Sequence, residues 1–80
     1  MGRYTRVGMR KHANHAEIAR KAREAAGEWV FATNRKSKES ARLYKNEAEN
    51  GRSTAYEPAG TYEVRFEMAD TGYDTYIRTL

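Results

Sequence analysis

The stretch Thr61-Tyr62-Glu63-Val64-Arg65-Phe66-Glu67-Met68, followed by Ala69-Asp70-Thr71-Gly72 and Tyr73-Asp74-Thr75-Tyr76-Ile77-Arg78-Thr79-Leu80, decides how this chain folds. Tyr62, Val64, Phe66 and Met68 fall on every second position, with Thr61, Glu63, Arg65 and Glu67 between them. A period of two marks a strand with one apolar and one solvated face. Asp70-Thr71-Gly72 supplies a turn and Tyr73–Arg78 reads as the returning strand, so residues 61–80 predict a β-hairpin.

Upstream, Pro58-Ala59-Gly60 bends the chain into this hairpin, and Thr54-Ala55-Tyr56-Glu57 reads as a short extended piece before it. Ser37 is placed to cap a helix over about 38–50, with Gly51 as its stop; Ala41, Tyr44 and Ala48 form its apolar stripe. Glu28–Thr33 is aromatic and β-branched, with Trp29 and Phe31 on one face and Val30 and Ala32 on the other. Apolar groups on both faces predict an interior strand, linked to the next by a right-handed crossover. Asn14 with Glu17 three residues on resembles a capping box, and Ile18, Ala19, Ala22, Ala25 and Ala26 recur at helical spacing up to Gly27. The order α-β-α-β-β-β describes an α+β domain, a small and mostly antiparallel sheet with its helices on one face. Its expected core is Ile18, Ala22, Trp29, Phe31, Ala41, Tyr44, Val64, Phe66 and Ile77. Residues 1–11 read as a basic flexible arm and residues 12–80 as the single domain.

A chain of 80 residues buries only about 60% of the surface its unfolded form exposes, so stability is expected to be modest. There is no cysteine, so neither disulfides nor thiolate metal sites are available. No apolar run reaches the roughly 20 residues of a membrane span and the N-terminus lacks a signal-peptide core, which predicts a soluble cytoplasmic protein without membrane contact. Charge is polarised: residues 1–27 hold seven Lys/Arg against two Glu, residues 28–53 six against four, and residues 54–80 two against five acids. A basic front and an acidic hairpin can orient the molecule toward a polyanion.

Gly27-Glu28-Trp29-Val30, then Ser40-Ala41 in a helix ended by Gly51, then Ala55-Tyr56-Glu57-Pro58-Ala59-Gly60-Thr61-Tyr62-Glu63, then Tyr76 and Arg78, resemble small proteins of unknown function encoded by actinobacteria and their phages. The resemblance covers about two thirds of the chain and carries no catalytic motif. It implies a phage or mobile-element setting, a βαββ core and no assigned activity.

Enzymatic constellations are not expected. His12 and His15 are three apart with only Glu17 near, which makes solvated histidines at a helix start the better reading than a metal site. Ser37, Ser40 and Ser53 sit where caps and loops want them. Glu63 and Glu67 are about 13 Å apart on one strand face, beyond the separation of paired-carboxylate hydrolases; cross-strand pairing with Arg65 or Arg78 is their expected role. The glycines are too dispersed for a phosphate-cradling loop. Neither a cofactor nor a metal is implied.

Two binding classes remain. Arg3, Arg6, Arg10 and Lys11 form the basic arm; Arg20, Lys21 and Arg23 extend it along a helix; Arg35, Lys36, Lys38, Arg42 and Lys45 form a second cluster. Each phosphate neutralised adds a salt-sensitive, sequence-tolerant increment of affinity, so the first expectation is a non-enzymatic accessory protein binding nucleic acid through its basic N-terminal half. Glu63 and Glu67 would repel phosphate from the solvated strand face, which leaves the arm and helices as the expected contacts. The second class is a protein-interaction module for a host or virion protein, acting through the acidic hairpin or an open edge on the final strand. Pairing of that edge with a second copy would give a homodimer.

Overall fold

The computed structural model describes residues 14–80. Helix α1 (His15–Glu24), strand β1 (Val30–Arg35), helix α2 (Lys38–Glu49), a 3-10 turn (Thr54–Tyr56) and strands β2 (Tyr62–Met68) and β3 (Tyr73–Thr79) follow in that order. The α+β class and the one-sided helices agree with the sequence reading. The proposed basic arm, 1–11, and His12 lie outside the described residues.

Both helices begin at the expected caps. Asn14 accepts from the Glu17 amide at 3.1 Å and Ser37 from the Ser40 amide at 3.1 Å, so each side chain satisfies a first-turn donor. α2 ends as expected, with Asn50 at the cap and Gly51 at φ 63°. A Cβ on Gly51 would come within 2.7 Å of the Ala59 amide nitrogen. α1 stops earlier than Gly27: Ala25 is its cap and Ala26 takes the left-handed turn, at φ 52°.

The sheet order is β1-β3-β2, with both neighbouring pairs antiparallel. The hairpin β2–β3 forms where expected, and its register sets Tyr62 opposite Thr79 and Met68 opposite Tyr73. β1 therefore runs parallel to β2 with β3 between them. The expectation of an interior Glu28–Thr33 strand is overturned: among the described strands β1 is an edge. So is that of an open edge on the final strand, because β3 is central and paired on both sides. The outer side of β2 is partly covered, since Val64 donates its N–H to Glu49 at 2.9 Å and accepts from Lys45 Nζ at 2.9 Å.

β1 carries a bulge between Phe31 and Thr33. The ladder defect is filled by Thr75, which is fully buried on β3: its hydroxyl donates to the Thr33 carbonyl at 2.8 Å and accepts the Thr33 amide at 3.1 Å.

The core lies between the helices and one sheet face, and holds Ile18, Ala19, Ala22, Tyr44, Ala48, Tyr56, Tyr62, Val64 and Ile77; Ala41 is also buried. Three expected core residues are not in it. Phe31 is 53% exposed, and Trp29 and Phe66 are half-buried. Of the expected extended piece 54–57 only Glu57 is extended; Thr54–Tyr56 wind into the 3-10 turn that places Tyr56 under both helices.

Tyr56 organises a buried polar chain. Its hydroxyl lies 2.8 Å from His15 Nδ1 and 2.9 Å from the Tyr44 hydroxyl, and the His15 ring stacks on Tyr44 at 6.0 Å. His15 is thus half-buried and bonded, not the solvated residue expected at a helix start. Burial pushes the Tyr44 hydroxyl up to about 12 and raises Tyr56 too.

Candidate nucleic-acid interface

The basic residues divide into two groups at opposite ends of the sheet. Arg23 Nη1 donates to the Tyr62 hydroxyl at 3.0 Å, at the start of β2. Arg35 faces Tyr73, which faces Met68 at the far end of the same strand. Six strand residues at ~3.3 Å separate those ends, about 20 Å. The Arg20–Arg23 group and the Arg35–Arg42 group therefore do not merge into one patch.

On α1, Arg20 is engaged within its own helix, bonded to Glu17 at 2.5 Å and Glu24 at 2.8 Å. The Glu17 hydrogen bond, then the Glu24 one, raise its pKa and fix the charge on the guanidinium. Lys21 is exposed and makes no ion pair among the described residues. Arg3, Arg6, Arg10 and Lys11 lie outside the described residues.

On the second group, Arg35 is half-buried, its guanidinium 5.0 Å over the Tyr44 ring, with Nη1 reaching Ser40 Oγ at 3.4 Å. Its Nε is buried with no partner. Arg35 therefore acts first as a core lid. Lys36, Lys38 and Arg42 are exposed and unpaired among the described residues. Lys38 and Arg42 are four apart on one helical face, a like-charge spacing that costs a few tenths of a kcal/mol. Lys36 and Lys38 flank the positive end of the α2 dipole, where cations are also unfavourable. Lys45 is committed to Glu49 at 2.6 Å.

The sheet face away from the helices carries chemistry that the sequence reading set aside. Arg78 lies 4.6 Å from the Trp29 ring; Arg65 lies 5.2 Å from Trp29 and 5.1 Å from Tyr76; Phe31 meets Tyr76 edge-on at 6.0 Å. Glu63 is held by Arg78 at 2.8 Å, the cross-strand pair expected for it. Glu67 faces Asp74 instead of a cation, and Asn34 donates to Asp74 at 2.9 Å. Burial, then these two carboxylates, raise the Tyr76 pKa. The face is thus aromatic at the Trp29 end, where Arg65 has no carboxylate partner among the described residues, and acidic at the hairpin end. The register that brings Trp29 next to Arg78 and Arg65 depends on β1 pairing with β3, which no local pattern encodes.

Among the described residues no group of three or more His, Asp or Glu is placed to hold a metal, and no helix is long and apolar enough to cross a membrane. Comparisons with protein-family models, with curated proteins and with solved structures each returned no match.

Proposed function

We propose that this chain is a binding domain for nucleic acid and not an enzyme, with Lys36, Lys38 and Arg42 as the principal phosphate contacts and Lys21 as an outlying one. The observation that carries the reading is the crowding, at the start of α2, of three cations that have no ion-pair partner among the described residues. Each opposes the helix dipole or its neighbour, so their placement weakens the helix and complements a polyanion. Arg20, quenched by two glutamates, and Arg35, lying over Tyr44, are secondary.

The test is fluorescence anisotropy of labelled DNA, single- and double-stranded, at about 50 and 200 mM salt, against the triple variant Lys36→Glu/Lys38→Glu/Arg42→Glu. Binding should fall steeply with salt, and the variant's log–log salt slope should shrink by about 0.9 for each duplex phosphate that it no longer neutralises. Absence of binding at the lower salt overturns the reading. A protein-interaction reading is favoured by a different observation, the outer side of β1, which pairs with no strand among the described residues and can accept an extended one.

A further inference from the structure

We infer that the open face of the sheet takes the unpaired bases of a single-stranded nucleic acid, with Trp29, Phe31 and Tyr76 as its stacking rings and Arg65 and Arg78 as its cations. The inference rests on the reading that the chain binds nucleic acid, and adds to the α2 cations a second contact surface, on the opposite sheet face, that selects unpaired bases.

The three rings and two guanidiniums form one layer. Phe31 is 53% exposed, and Trp29 and Tyr76 are half-buried beneath Arg65 and Arg78. Trp29 and Phe31 lie two residues apart along the edge of the sheet, about 6.6 Å, and Tyr76 stands on the adjoining strand. Duplex DNA hides its base faces inside the stack, so only unpaired bases can use such rings; base–aromatic stacking tolerates any sequence because every base has a π face.

The guanidiniums now occupy the ring faces that a base would cover. A base sliding onto Trp29 displaces a planar cation from the ring and leaves it beside the strand, where it meets the backbone phosphate. Arg65, which has no carboxylate partner among the described residues, is the cation free to make this exchange, while Arg78 stays on Glu63.

The carboxylates fix which end of the face is used. Glu63 is neutralised by Arg78, and Glu28, exposed, precedes Trp29. Glu67 and Asp74 face each other at the hairpin end and repel phosphate there. On this face the bases are therefore confined to the Trp29–Arg65–Arg78 end.

Trp29 is the chain's single tryptophan, so its fluorescence reports on this face alone. The full chain is titrated with a fluorescein-labelled oligothymidine and, separately, with a mixed-sequence duplex, following anisotropy and Trp29 emission together. The expected result is quenching of Trp29 that saturates with the anisotropy for the single strand, weaker binding of the duplex, and about ten-fold or greater weakening by Phe31→Ala. Phe31 is exposed enough for that variant to fold, which circular dichroism checks; the quenching in the unmodified chain stands as evidence whatever the variant does. Anisotropy that rises without any change in Trp29 emission overturns the inference and leaves the helix cations as the site. Equal affinity for duplex and single strand also overturns it. Failure of both nucleic acids to bind removes the nucleic-acid reading itself.

Discussion

Replacing Tyr56 by Phe should destabilise the domain far more than replacing Tyr44 by Phe, although the two tyrosines share one hydrogen bond and are both fully buried. The reason is the direction of the chain. Only one arrangement of the three groups uses both hydroxyl protons: Tyr44 donates to Tyr56, and Tyr56 donates to His15 Nδ1. Tyr44→Phe removes one bond and leaves Tyr56 still donating to His15, a loss of about 1 kcal/mol. Tyr56→Phe removes the His15 bond and strands the Tyr44 hydroxyl in the core, whose only partner among the described residues was Tyr56. One broken bond and an unsatisfied buried hydroxyl at about 1–3 kcal/mol give about 2–4 kcal/mol in total. At about 4–8 °C per kcal/mol for a domain of this size, the melting midpoint should fall by about 8–32 °C. In the double variant no hydroxyl remains to be stranded, so it should be at least as stable as Tyr56→Phe alone. Thermal and urea melts followed by circular dichroism complete the cycle. Equal losses for the two single variants, or losses that simply add in the double variant, would refute the reasoning.

Ala26→Gly should stabilise the domain by about 0.5–1 kcal/mol, because an exposed alanine holds φ 52° there and glycine adopts that conformation without a Cβ penalty; an unchanged or lower melting midpoint would contradict it. Thr75→Val keeps the shape of the residue yet leaves the Thr33 amide in the bulge without its acceptor, at a cost of about 1–3 kcal/mol in a urea melt, whereas Thr75→Ser should retain the hydroxyl bonds. Gly72→Ala should be severely destabilising, since φ is 75° and a Cβ would overlap the backbone carbonyl of Arg35; a soluble, cooperatively melting variant would argue against that close approach. In alkali, Tyr44 keeps its proton in the folded state to about 12 while the unfolded chain loses it near 10. Its contribution is therefore complete below pH 10 and is lost as pH rises toward 12, at about 1.4 kcal/mol per pH unit. Ultraviolet titration should show Tyr44 and Tyr56 ionising only as the domain unfolds.

The parts of this fold that local chemistry dictates were readable. Asn14 and Ser37 cap the helices that follow them, and the Tyr62–Val64 alternation puts the right residues inward. Tyr56 was not readable, because a three-residue 3-10 turn has no period and its burial comes from His15, Tyr44 and Tyr62 arriving from elsewhere. Trp29 and Phe31 misled for a physical reason. Apolar groups on both faces usually mean an interior strand, but here the second face lies against guanidiniums that stand in for a second layer. The basic clusters were legible as composition only; their separation to opposite ends of the sheet, and the carboxylates that occupy Arg20, required the structure.

The two flanks of the sheet are unequal, and this limits how the molecule can polymerise. Unlimited cross-β growth demands a donor edge and an acceptor edge on every copy. Here the middle of β2 already spends its Val64 amide and carbonyl on Glu49 and Lys45, while β1 is open among the described strands but interrupted by its bulge. Two copies meeting β1 to β1 would form a six-stranded sheet ending in β2 on both sides, and the assembly would terminate there. Removing the Glu49 carboxylate would restore the second edge and with it a route from a closed pair to a fibre.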